Sequence, residues 1–353
     1  MSNLTPQQIK RYETFLATTD MTGARLSPLA GDASFRRYVR LHGQKKTAML
    51  MDAPPEREAL APFMRVARWL CENGYSAPHI QACDEAGGLM LLEDLGEDSL
   101  TRLCAVSGDS EQALYEAAVD VLADWYLRAQ RKTLSPLPLP QYDQALLMRE
   151  VELFSQWFLP QIASGSLLQK LSHDYLSIWR ELLATMPAAP RIFVHRDYHA
   201  DNLLWLPQRS GLQRLGLLDF QDAVLGSPAY DLVSLLEDAR RDVSAELVTS
   251  LLHRYLAATG MDREAFMAEY ALLGAQRNCK IIGIFVRLAV RDGKAHYLDY
   301  LPRVWRHLAT DLAHPSLRSL SEWMAQAVPI AQRGAELALA GERKGAKIGR
   351  AHV

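Results

Sequence analysis

Apolar residues Ile9, Tyr12, Phe15 and Leu16 recur at helical spacing behind Thr5-Pro6, a capping residue followed by a first-turn proline. Residues 35–41 and 47–51 then read as strands. The first alternates apolar with basic side chains, which predicts a solvated face for the bases; the second is apolar. Leu29-Ala30-Gly31-Asp32-Ala33-Ser34, between the helix and these strands, is a turn of small residues. Asp52-Ala53-Pro54-Pro55 ends the strand segment, and residues 56–71 form an amphipathic helix closed by Asn73-Gly74. Strands near residues 79–83 and 89–93 flank the hairpin turn Asp84-Glu85-Ala86-Gly87-Gly88. After Leu95-Gly96 the period changes. Residues 111–130, 145–158 and 167–185 are helical by spacing, with a proline-rich loop at 135–140. Short strands return at 191–194, 203–206 and 215–219, and the chain is helical from Ala229 onward. The pattern predicts an α+β chain of two lobes: strand-rich residues 1–95 and mainly helical residues 96–340. Residues 341–353 are expected to lie outside the fold. Their last six, Ile348-Gly349-Arg350-Ala351-His352-Val353, have a back-translation that resembles a short-read sequencing adapter.

Composition narrows the partners. Lys and Arg number 39 against 41 Asp and Glu, a net charge of −2, so no basic excess points to nucleic acid or an anionic membrane. No apolar run reaches membrane length. The start lacks the basic and apolar regions of a signal peptide. Cys71, Cys83, Cys104 and Cys279 form no CxxC pair and are expected to be buried free thiols, which fits a cytoplasmic protein. Nothing in the composition fixes an oligomeric state.

The chemistry is carried by two polar breaks between apolar strands. His195-Arg196-Asp197-Tyr198-His199-Ala200-Asp201-Asn202 separates Val194 from Leu203-Leu204-Trp205-Leu206. Leu217-Leu218-Asp219-Phe220-Gln221-Asp222 ends a second apolar strand. Loops on a rigid base are where catalytic groups sit. Phosphoryl transfer needs a carboxylate to accept the hydroxyl proton and oxygen ligands to hold Mg²⁺ against the phosphates of ATP. Asp197 fits the first role; Asn202 and Asp219 fit the second. HRDxxxxN followed by a strand ending in DF is the kinase signature, with Gln221 here in place of the glycine of DFG. A zinc site on His195, Asp197, His199 and Asp201 would need further histidines in comparable loops, and the others are isolated. His195 is expected to orient the loop from beneath. Two roles are open to His199: facing the acceptor, or capping the loop. Asp222 is a further acceptor-side candidate. Asp231, in the first turn of a helix after Pro228, either supports the catalytic loop or caps the helix. The run from Asp219 to Asp231 leaves no space for the activation segment of a protein kinase, so the acceptor is expected to be a small molecule.

With these motifs the chain resembles the aminoglycoside phosphotransferase and choline kinase superfamily, from about Gly31 to the helices beyond Lys280. The resemblance implies a two-lobed protein-kinase-like fold whose residues 1–95 bind nucleotide and whose residues 96–340 carry catalysis and acceptor binding. It implies ATP and Mg²⁺, with Asp197 as base and Asn202 and Asp219 as metal ligands. Leu91-Leu92-Glu93-Asp94-Leu95-Gly96 resembles the hinge, where backbone groups near Glu93 and Leu95 would bind adenine. Gly31 and Ser34 would cradle phosphate in place of a glycine-rich loop. The strand that would present a phosphate-binding lysine reads Ala48-Met49-Leu50-Met51, and Arg36, Arg37, Lys45 or Lys46 is left to supply the charge.

Three passages resemble the anomeric sugar kinases of bacterial cell-wall recycling: Gly31-Asp32-Ala33-Ser34-Phe35-Arg36-Arg37-Tyr38, Met51-Asp52-Ala53-Pro54-Pro55-Glu56 and the run from Gln276 through Phe285. That resemblance implies phosphorylation of N-acetylmuramate or N-acetylglucosamine. Arg277 and Lys280, in that last run, are acceptor candidates or surface charge on a packed helix. Kinases of choline, aminoglycosides or amino-acid hydroxyls, and a nucleotide-binding scaffold without turnover, are the alternatives.

Overall fold

The structure, a computed structural model, describes residues 4–29, 36–106, 111–186 and 191–333. Gly31, Ser34 and the tail 341–353 lie outside the described residues. The chain divides into two compact units. One gathers Met1–Asp124, Arg128–Leu139 and His195–Ala223; the other gathers Trp125–Leu127, Pro140–Val194 and Val224–Val353.

The first unit opens with α1 (Pro6–Leu16). Thr5 Oγ1 accepts from Gln8 N at 3.2 Å while Gln8 Oε1 accepts from Thr5 N at 2.9 Å, so the two residues satisfy each other's orphan donors. A five-stranded antiparallel sheet follows: β1 (Arg25–Pro28), β2 (Arg37–His42), β3 (Thr47–Asp52), β4 (Ile80–Asp84) and β5 (Leu89–Glu93). The spatial order is β1-β2-β3-β5-β4. Register sets Val39 opposite Leu50 and Leu50 opposite Leu91. Alternate residues therefore share one face, and Val39, Leu41, Ala48, Leu50, Leu89 and Leu91 bury it against Tyr12 and Leu16. Asp52, at the end of β3, is tied to α1 by Tyr12 Oη at 2.6 Å and Arg11 Nη2 at 2.9 Å.

Helix α2 (Leu60–Glu72) starts later than its spacing predicts. Arg57 and Glu58 N–H both bond to Pro54 O, so Glu56, Arg57 and Glu58 form a turn ahead of the helix. This unit also holds α3 (Leu100–Val106), most of α4 (Glu111–Gln130), and a small ladder that carries the site.

In the second unit lie α5 (Gln144–Leu153), a π-helical turn at Phe154–Phe158, α6 (Leu159–Ile162), α7 (Gly165–Ala184) and β6 (Ile192–Val194). The unit's longest helix is α10 (Arg263–Asp292), capped by Asp262 at its start and ended by Gly293 in a left-handed conformation, φ 69°. It packs among α5, the π turn, α8 (Ala229–Leu236) and α11 (Leu301–Asp311), with α9 (Ala245–Thr259) and α12 (Arg318–Ala327) completing the helices. Among the described residues no helix is long and apolar enough to cross a membrane.

Two expectations from the pattern are corrected. Of the four cysteines only Cys279 is buried, where desolvation pushes its thiol up to about 12. Cys83 lies exposed on edge strand β4, and Cys71 is half-buried in the last turn of α2. The basic residues around β2 are not uniformly solvated. Arg37 is exposed, but the Arg36 and Arg40 side chains are 9% and 12% exposed because each meets carboxylates within its unit.

Candidate active site

The site is built on two short strands of the first unit, β7 (Leu203–Trp205) and β8 (Leu215–Leu217), paired with Leu204 opposite Gly216. The polar run from His195 to Asn202 leads into β7 and ends in a 3₁₀ turn, Ala200–Asn202. Tyr198 anchors the loop: its buried hydroxyl donates to Ala118 O on α4 at 2.8 Å. His195 is fully buried, edge-on to Tyr198 and Phe220. Desolvation lowers its pKa to about 4, so its imidazole is neutral at pH 7 and acts as a packed support.

Asp197 sits half-buried within the loop. Its carbonyl accepts from His199 N at 3.0 Å and from Asn202 Nδ2 at 2.9 Å. Asn202 Nδ2 also lies 3.3 Å from His199 Nε2. The amide nitrogen is thus committed to the loop, and Oδ1 is the end of Asn202 that suits a cation. Asn202 O accepts from Leu218 N at 2.9 Å, which joins this loop to the residue before Asp219.

Asp219 and Arg196 both adopt positive φ, 61° and 75°. A non-glycine residue held there costs on the order of 1–3 kcal/mol, and such positions cluster at functional sites. Asp219 is raised above the ordinary carboxylate pKa, first by desolvation and further by the charge of Asp197, although its side chain keeps 50% exposure. Gln221 Nε2 donates to its Oδ1 at 2.8 Å. Phe220 points into the unit and packs on Phe63 of α2, ring centroids 4.9 Å apart. The DF pair therefore turns its carboxylate outward and its ring inward. Asp222 is exposed, and its carbonyl accepts from Arg196 at 3.3 Å.

In the segment from Leu91 to Gly96, Glu93 N donates to His79 O at 2.8 Å, and the Glu93 carboxylate pairs with Arg209. Leu95 packs with Leu204, Leu206 and half-buried Leu218, an apolar patch flanking the Asp219 loop. Arg40 clamps the next turn, meeting Asp94 at 2.9 Å and Gly96 O at 3.1 Å. Neither the Arg40 clamp nor the Arg209 pair was visible in local sequence, because each joins residues far apart in the chain.

Among the described residues no three His, Cys, Asp or Glu side chains converge as a metal cluster. Asn202 and Asp219 offer the few hard oxygens with which Mg²⁺ is held when phosphates complete its shell. That donor chemistry fits the ion.

The remaining candidates lie in the second unit. Asp231 is buried in the first turn of α8. Arg277 is buried and donates to Ser234 Oγ at 2.8 Å. Lys280 is paired with Glu150 at 2.9 Å and lies 3.3 Å from Tyr230 Oη. Gln276 donates to the same Glu150 carboxylate at 3.0 Å. Arg277 and Lys280 therefore have internal partners within their own unit and are not surface charge.

Comparison with known proteins shows the family and the fold. Residues 25–268 match the phosphotransferase enzyme family. An N-acetylmuramate/N-acetylglucosamine kinase of Caulobacter vibrioides is 40% identical over 351 residues, covering 90% of this chain and 96% of that protein. A kinase of the same name from Pseudomonas aeruginosa is 37% identical over 314 residues, covering 86% and 88%. The crystal structure of a choline kinase from Streptococcus pneumoniae superposes with a TM-score of 0.60 at 13% identity, covering 87% of this chain and all of that one, which establishes a shared two-lobed kinase-like fold. The chain belongs to the phosphotransferase enzyme family.

Proposed function

We propose that this protein is an ATP-dependent sugar kinase that phosphorylates the anomeric hydroxyl of N-acetylmuramate, N-acetylglucosamine or both, in cytoplasmic recycling of peptidoglycan. The reading is carried by one observation: Asp197, Asn202 and Asp219 are held on two loops stapled by the Asn202–Leu218 backbone bond. The names of relatives at 37–40% identity supply the acceptor class.

In the proposed reaction the Asp197 carboxylate accepts the proton of the sugar hydroxyl. The hydroxyl oxygen forms its bond to the terminal phosphorus of ATP, the bond from that phosphorus to the bridging oxygen breaks, and ADP leaves with the bond's electrons. General-base action of this kind contributes roughly 10²–10⁴ in rate. Asn202 and Asp219 would hold Mg²⁺, which would supply positive charge against the phosphates. His195 and Phe220 hold the two loops against each other through their packing. Asp231 is assigned a supporting role. Backbone groups near Glu93 and Leu95 would take adenine, with Leu204 and Leu218 covering the ring. Gly31 and Ser34 are assigned to phosphate, and His199 and Asp222 to the acceptor side.

ADP release across N-acetylmuramate, N-acetylglucosamine, choline and aminoglycosides tests the reading. Turnover confined to the N-acetylated sugars is expected. Turnover on choline or an aminoglycoside alone would replace the acceptor, and ATP binding without turnover on any of them would point to a scaffold.

A further inference from the structure

The sheet poses a problem that the proposed reaction must solve. β3 reads Thr-Ala-Met-Leu-Met-Asp, with no cation to meet the nucleotide's phosphates. Four basic residues near it were open from sequence, and their surroundings differ. Lys46 is 47% exposed and pairs with Asp20 at 2.6 Å. Lys45 and Arg37 are exposed. Arg40, a further base on β2, is committed to Asp94, Glu97 and Gly96 O. Arg36, just ahead of β2, has a side chain only 9% exposed. Its Nη2 is 2.8 Å from Glu58 Oε2, in the turn ahead of α2. Its Nη1 lies 3.9 Å from Asp219 Oδ1. Among the described residues of the sheet region, it is the cation that reaches the proposed metal carboxylate.

The physical case rests on that placement. A guanidinium taken from water needs carboxylate partners, and Glu58 supplies one through a charge-assisted hydrogen bond. Glu58 engages one terminal nitrogen, and the planar fork directs the other toward Asp219. A guanidinium meets phosphate through parallel N–H donors, which an ammonium cannot reproduce. Tyr38 stands beside the group: burial pushes its hydroxyl up to about 12, and the neighbouring Arg36 opposes that rise.

We propose that Arg36, braced by Glu58, is the cation that binds the terminal phosphates of the nucleotide, replacing the strand lysine this chain lacks. The inference rests on the kinase reading above. It adds Arg36 as a catalytic residue and Glu58 as a positioning residue.

The test measures ADP and adenosine affinity separately, each by displacement of a fluorescent ADP analogue, in the full-length protein with Mg²⁺. Arg36→Ala is expected to weaken ADP about 10- to 100-fold, the worth of hydrogen bonds to a charged group. Adenosine affinity should stay within about twofold, since it makes no phosphate contact. Arg36→Lys should fall between, and Glu58→Gln should weaken ADP less than Arg36→Ala does. Added guanidinium ion should restore part of the ADP affinity of Arg36→Ala and none of Arg36→Lys. Unchanged ADP affinity in Arg36→Ala would overturn the proposal. Equal loss of ADP and adenosine would overturn it too, since the residue would then hold the sheet and not the phosphates. If Arg36→Ala fails to fold, the ADP-to-adenosine ratio of Arg36→Lys decides in the same way. A wild-type protein that shows the ratio but phosphorylates no sugar would remove the acceptor assignment and leave Arg36 in place.

Discussion

Two groups of carboxylates in this molecule look alike by charge and differ in their access to solvent and in their partners. Asp197 and Asp219 lie on loops of the first unit, and the Asp219 side chain is half exposed. Glu237 and Asp311, in the second unit, are buried between α8, α10 and α11. Asn278 Nδ2 bridges that pair at 2.7 and 2.9 Å, and Gly274 leaves the room that Asp311 occupies. Desolvation raises Glu237 to about 7 and Asp311 well above the ordinary range. Asp219 is raised as well. A raised carboxyl therefore does not by itself mark a site. What separates the two groups is access to solvent, backbone strain at Asp219 and an amide oxygen on Asn202 suited to a cation. The sealed pair is a structural element that stays protonated in part at neutral pH.

The largest effect that would sharpen this contrast is on turnover. Asp197→Ala should lose at least about 100-fold in kcat while its melting temperature stays near wild type. Turnover close to wild type would remove the base. Asp219→Ala should abolish activity or raise the Mg²⁺ needed for half-maximal rate, read from a metal titration at saturating ATP; an unchanged titration would remove Asp219 as a ligand.

A smaller effect tests the support beneath the loop. Phe63→Ala removes the ring that packs on Phe220 and should cost about 3–5 kcal/mol of stability in a denaturant melt. A loss below about 1 kcal/mol would mean the ring pair is not well packed.

The smallest effect belongs to the sealed pair. Glu237 rises from 4.5 to about 7 on folding, so between those values the folded state binds more protons than the unfolded one. Stability then falls as pH rises through that window, and the carboxyl's protonated form is favoured in the fold. Glu237→Gln keeps an acceptor for Asn278 and removes the charge. It should melt higher than wild type at pH 8, by roughly 2–4 °C per kcal/mol relieved, and match it below pH 4.5. Its kcat should be unchanged. A drop in kcat with unaltered melting would make Glu237 part of the reaction and erase the contrast.

The loop from His195 to Asn202 was legible because its polar run interrupts two apolar strands, and motif spacing fixes Asp197, Asn202 and Asp219 in one stretch of chain. The helix at Glu111–Gln130 was legible by period, and the strand at Leu89–Glu93 by its apolar run behind the Asp84–Gly88 turn. Two short strands were not: β1 (Arg-Leu-Ser-Pro) holds one large apolar residue, and β9 (Val224–Gly226) ends on a glycine after two, so neither shows the apolar run that marks the equally short β6, β7 and β8. The start of α2 was displaced because Pro54 O captures two following N–H groups, a choice that helical periodicity does not register. The proposed phosphate cation was not legible. Selecting Arg36 over Arg37 depends on which side chain reaches Glu58 and Asp219, partners that tertiary folding brings from elsewhere in the chain. Lys280 shows the same limit, since its partner Glu150 lies 130 positions away.

The central claim is most directly tested by the position of the new phosphate. With N-acetylglucosamine or N-acetylmuramate, ATP and Mg²⁺, the account predicts a product whose phosphorus couples to H1 of the sugar in a ³¹P–¹H correlation spectrum, and no product from the 1-O-methyl glycosides. Coupling to the proton of another carbon, or phosphorylation of the glycosides, would contradict it.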